Sequence, residues 1–208
     1  MSAMKPRVAT RGKIRVPSRS LAMSEVWDKY WPILSNAIIT IQQMQSSTLS
    51  FEENFRSTYH LVTYRQGERT YNGVKDLIQK FLQVEVRDKL VPLLDVVERS
   101  EQGVHLLKTL REIWLHHMTC IMLMGDILLH LDANYVPQNK MLKTFEMGLV
   151  LFRNIVVRST ENPILTTLQT ILLDQIKQER EGISIDRSTV KSCIGILLEL
   201  PEERPNTY

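Results

Sequence analysis

One helical stripe constrains this chain more than any other feature. From Trp27 onward, apolar and aromatic side chains recur at spacings of three and four: Trp27, Tyr30, Trp31, Leu34, Ile38 and Ile41. Such positions lie above one another on a single helical face, which must be buried against neighbours. The same period returns at Val74, Leu77, Ile78, Phe81, Leu82, Val86 and Leu90. It returns again at Leu106, Leu107, Leu110, Ile113, Trp114, Ile121, Leu128 and Leu131. No stretch alternates as a half-buried strand does. Only eight glycines and eight prolines punctuate 208 residues, so few positions force a turn. The predicted fold class is all-α.

Local signals place the ends of these helices. Ser24 reads as the N-cap of the first, with Pro32 near its start and Ser46-Ser47-Thr48 at its end. Ser50 caps the second, with Glu53 three residues on completing a capping box. That helix runs to about Tyr64, with Gly67 as its stop. A third stretch runs from about Gly73 to Val97, kinked or divided at Pro92. A long helix follows from about Gly103 to Leu131. Three more cover residues 140–158, 163–181 and 186–199, with Pro163 in the first turn of the second of these.

Charge is concentrated at one end. The formal net charge is +3, yet Lys5, Arg7, Arg11, Lys13, Arg15 and Arg19 precede any acid; the remainder carries 20 basic against 23 acidic side chains. The basic balance therefore belongs to an arm over residues 1–23, read as flexible and solvated. Its nucleic-acid-binding alternative lacks the interleaved aromatics that stack on bases. Cys120 and Cys193 sit in apolar helical patterns and read as buried free thiols, suited to a reducing compartment. The longest apolar run, near Met118–Leu131, is broken by Asp126 and His130, and there is no secretory h-region. A cytoplasmic or nuclear location is expected, without a membrane partner.

The chain carries no recognisable catalytic apparatus: no phosphate-cradling glycine loop, nucleophile elbow or HExxH pattern. His116 and Cys120 share a helical face, but no second pair completes a metal site. They read as surface histidines, with His117, beside a core thiol. Neither an enzymatic activity, a cofactor, a metal nor a small-molecule substrate is expected.

The informative segment is Leu49-Ser50-Phe51-Glu52-Glu53-Asn54-Phe55-Arg56-Ser57-Thr58-Tyr59. Phe51, Phe55 and Tyr59 line one face at intervals of four. Periodicity alone favours a core stripe; the alternative is an exposed aromatic ridge of the kind that anchors protein interfaces.

This segment resembles the second helix of the cullin family, above all its cullin-three branch. The resemblance continues in order through Gly67-Glu68-Arg69-Thr70-Tyr71, Asp126-Ile127-Leu128 with Leu131-Asp132 and Tyr135-Val136, Gly148-Leu149 with Leu151-Phe152-Arg153, and Glu179-Arg180-Glu181-Gly182 with Asp186-Arg187. It implies stacked cullin repeats: a first five-helix repeat over residues 24–137, a partial second over 138–200 and a polar tail over 201–208. It also implies that the exposed second helix, with Ser50, Phe51, Glu52, Phe55 and Tyr59, and a tyrosine near the end of the long helix, Tyr135, dock a BTB-domain adaptor. Ile14 and Val16 of the arm would add a second apolar contact. Phe55 and Asn54 depart from the family's usual tyrosine and leucine. The region that would hold a RING-protein partner has no counterpart here. The chain is expected to be a monomeric scaffold module of a ubiquitin ligase, or, if naturally short, a competitor that occupies adaptors without delivering ubiquitin; the alternatives are a nucleic-acid-binding helical protein acting through its basic arm and a purely structural helical-repeat protein.

Overall fold

The structure, a computed structural model, describes residues 23–94, 100–159 and 162–201. Every regular element among them is helical. Helix α1 spans Met23–Gln42, α2 Phe51–Thr63, α3 Gly67–Glu85, α4 Val91–Leu94 and α5 Ser100–Ile127. They are followed by α6 Val136–Gln138, α7 Thr144–Phe152, α8 Ile164–Arg180 and α9 Arg187–Glu199. Wider, π-type turns continue three of them, at Val86–Leu90, Leu131–Tyr135 and Arg153–Val157.

The predicted stripes face inward. Leu34, Ile38 and Ile41 of α1 meet Val74, Ile78 and Leu82 of α3 and Leu106, Leu107 and Leu110 of α5 in one apolar cluster. That cluster runs on without a gap to Phe152, Leu168 and Cys193, so helices on both sides of residue 138 share a core. Among the described residues no single helix is long and apolar enough to cross a membrane.

Several ends differ from expectation. Ser24 lies within α1, which makes Pro32 the tenth of its 20 residues, in the helix interior. Gly67 does not stop α2; it is the first residue of α3, which therefore begins six residues before Gly73. The residue that turns the chain is Arg65, at φ 61°. There Gln66 N–H donates to Leu61 O at 2.8 Å and Arg65 N–H to Val62 O at 3.0 Å, a Schellman closure. Met44 closes α1 in the same way, with Gln45 N–H on Thr40 O and Met44 N–H on Ile41 O. Pro163 sits just outside α8, as its N-cap.

The long fifth helix also ends earlier than its stripe suggests. Leu131–Gln138 turns 78° away from Gly103–Ile127. Asp132, at that corner, accepts from Thr144 N–H at 3.0 Å and from Thr144 Oγ1–H at 2.9 Å. A carboxylate twelve residues upstream thus caps α7. Its burial, set against these bonds, leaves its pKa raised.

Candidate functional site

Helix α2 is built inside out. Its buried face is mostly polar: Asn54, Ser57 and Thr58 lie inward with Leu61. Each polar side chain is satisfied by the carbonyl one turn back. Asn54 Nδ2–H donates to Ser50 O at 2.9 Å, Ser57 Oγ–H to Glu53 O at 2.9 Å and Thr58 Oγ1–H to Asn54 O at 3.2 Å. Such local bonds let small polar residues enter a helix interface without losing partners. The aromatic side faces out: Phe55 is 37% and Tyr59 44% exposed. Phe51 is half-buried and packs on the core margin. Periodicity alone had pointed the stripe inward; the inward anchor is Leu61, fully buried.

Ser50 begins the helix as predicted, its Oγ accepting from Glu53 N–H at 3.3 Å. Glu52 is exposed and pairs with Arg56 one turn on, at 2.6 Å. An exposed pair of this kind adds little stability, which leaves both side chains free to exchange partners.

Tyr135 does not join the ridge. Because the chain bends after α5, its ring folds over Gly67, where a Cβ would come within 2.4 Å of its Cδ2. It lines a cleft of about 410 Å³ with Val62, Arg65, Glu68 and Gln138, just past the end of α2. Burial, then the Glu68 carboxylate, raises its pKa. The ring that meets the ridge is His130. Its centroid lies 4.7 Å from that of Tyr59 and 6.4 Å, edge-on, from that of Phe55. His60 also meets Tyr59, edge-on at 5.7 Å, and stacks on Tyr30 at 4.5 Å. Both histidines were missed in the sequence. The available signal was modest: His130 precedes Tyr135 by five residues, at the end of the same apolar stripe. Ile14 and Val16 lie outside the described residues.

The remaining chemistry-bearing groups are structural. His117 is fully buried rather than superficial, its Nε2–H donating to Gly148 O at 3.0 Å. Burial pushes its pKa down to about 4. His116 is half-buried and bonds Gln42 O at 2.8 Å, while Cys120 Sγ–H reaches Ile41 O at 3.5 Å. These two residues close carbonyls at the end of α1. Among the described residues no group of three potential ligands converges on a metal position.

Stacked helices over one continuous core, with an aromatic ridge left outside, define an α-solenoid protein. The family model described as the cullin alpha solenoid domain matches residues 31–208. Cullin-3 of Dictyostelium discoideum is 34% identical over 178 residues, covering 86% of this chain and 22% of that protein. Cullin-3 of Caenorhabditis elegans is 33% identical over 180 residues, again 86% of this chain and 22% of the relative. Cullin-3A of Arabidopsis thaliana is 34% identical over 175 residues, 84% of this chain and 22% of the relative. The chain belongs to the cullin family, and it spans about 22% of the length of these curated relatives.

Proposed function

We propose that this chain is the adaptor-docking module of a cullin scaffold and binds a BTB-domain adaptor through the outer face of α2, in the service of ubiquitin-dependent protein breakdown. The observation that carries this reading is the inversion of α2. A helix that buries Asn54, Ser57 and Thr58 while exposing Phe55 and Tyr59 sacrifices apolar burial that folding alone would use. An exposed aromatic ridge is accounted for when a partner covers it.

In this reading Phe55 and Tyr59 are the anchors. Phe51 supports them from the core margin, and Ser50 and Glu52 set polar register at the start of the helix. Tyr135 offers its ring and hydroxyl at the far end, across the cleft. Ile14 and Val16 would extend the contact from the arm. The chain itself performs no chemistry in this role.

The test is calorimetric titration with a panel of BTB-domain adaptors, beside a Phe55→Ala, Tyr59→Ala double variant. These two positions are preferred to Phe51 because their removal leaves the core intact. One-to-one binding that weakens by more than about tenfold in the variant, at unchanged helicity, is expected. Equal binding by both proteins, or none across the panel with the chain folded, would refute the reading.

A further inference from the structure

We infer that docking on this ridge is proton-gated by His130: the partner is held while the imidazole is neutral and released as it is protonated. This inference rests on the docking reading above and adds a regulation to it.

The geometry gives the two forms of the ring different relations to Asn134. The amide nitrogen of Asn134 lies 3.0 Å from the carbonyl oxygen of His130 and 3.2 Å from its Nδ1. A carbonyl oxygen only accepts, so the amide nitrogen, not its oxygen, faces the imidazole. One N–H is donated to the carbonyl, and Nδ1 can accept the other only while it carries a lone pair. A proton added at Nδ1 sets N–H against N–H, and either the amide or the imidazole has to turn. Turning the imidazole disturbs Phe55 and Tyr59, since both rest on it.

The cover of a partner favours the neutral form. The groups that meet His130 are Phe55 and Tyr59 from α2 and Asn134 from its own segment. Among the described residues no carboxylate is bonded to its ring. The charged and titratable groups along α2 are Glu52, paired with Arg56, Glu53, and His60, whose ring meets Tyr59; Asp126 stands one turn before His130. Lys29 stands over Tyr30, on which His60 stacks. The pKa of His60 is lowered by burial, then by Lys29 and Arg56. A partner covering the ridge strips water from His130. Desolvation penalises the charged imidazole, so the complex selects the neutral one and expels the proton.

The experiment has two arms on the full chain. Affinity for an adaptor that binds at about pH 7.5 is measured again at about pH 5.5, for wild type, His130→Gln and His60→Gln. Wild-type and His60→Gln affinity should fall about tenfold over that interval, the range in which imidazoles gain their proton. His130→Gln should hold its affinity nearly constant. In parallel, nitrogen-15 imidazole spectra of the free chain should show His130 with Nδ1 unprotonated near neutral pH and gaining its proton there in acid. A flat wild-type profile, a His130→Gln profile as steep as wild type, or Nδ1 protonated near neutral pH would each overturn the gating. Failure to bind at either pH overturns the docking reading instead; the imidazole spectra then report separately whether the titrating element exists as described.

Discussion

The ring of Tyr135 lies directly on Gly67: a methyl group at that glycine would sit 2.4 Å from Cδ2 and 2.7 Å from Cγ. Gly67 thus serves close approach rather than a turn, and no positive φ is involved there. Gly67→Ala must displace the ring or push α3 from the bend that follows α5. Overpacking of this kind costs about 1–3 kcal/mol. The expected outcome is a lower urea midpoint with unchanged helicity, together with changed fluorescence of Tyr135. An alanine variant as stable as wild type, with an unperturbed spectrum, would show that the ring is free to move away at no cost.

The two faces of α2 should separate stability from docking. Leu61 is fully buried among core side chains, and Leu61→Ala is expected to cost about 2–5 kcal/mol. Tyr59→Ala removes a ring that is 44% exposed, and its effect on stability should stay within about 1 kcal/mol. Denaturant unfolding of both variants checks this. A Tyr59→Ala loss matching that of Leu61→Ala would make the aromatic side a folding surface and remove the main support for docking.

Much of the core was legible because its stripes obey the simple rule that apolar residues at helical spacing face inward. Leu34, Ile38, Ile41, Ile78, Leu82 and Leu110 all do so. The rule failed on α2, where it pointed Phe55 and Tyr59 inward. Periodicity identifies that a helix has two unlike faces, not which of them is buried. Here small polar residues bond their own backbone and pack closely, while the larger rings stay outside. The family resemblance, not the period, supplied the exposed ridge.

Helix ends were read less well, for a specific reason. Arg65 and Met44 adopt the left-handed conformation usually given to glycine, so the strongest stop signal in sequence is absent where the chain turns. The bend after α5 was equally hidden. At that corner Asp132 accepts from Thr144, a pairing with no local sequence signature. That bend is what separates Tyr135 from the ridge and leaves His130 beneath it.

The two cysteines should be inert in the folded chain. Both are buried, and burial pushes the Cys120 thiol up to about 12 and the Cys193 thiol up to about 11. Their hydrogens are engaged with Ile41 O and Leu107 O. Since thiolate is the reactive form, a disulfide-exchange reagent at neutral pH should titrate almost nothing until denaturant is added, and then two thiols. Rapid labelling of either residue in the native state would contradict the packing of α5 against α1 or α9.

Acid should unfold this protein partly through His117. Its imidazole is buried and neutral, with a pKa pushed down to about 4 by burial, outweighing the bond to Gly148. In the unfolded chain an imidazole takes its proton near pH 6.5. Between those values the unfolded state binds the extra proton, so stability rises with pH through that window. The contribution is fully present above about 6.5 and is lost progressively as pH falls towards 4, by about 3 kcal/mol in all. Urea unfolding at several pH values, for wild type and His117→Gln, tests this. The glutamine can still donate to the Gly148 carbonyl but cannot titrate. Its stability should therefore fall less steeply than wild type between neutral pH and about pH 4.5. Parallel pH profiles for the two proteins would mean that the acid sensitivity arises at another residue.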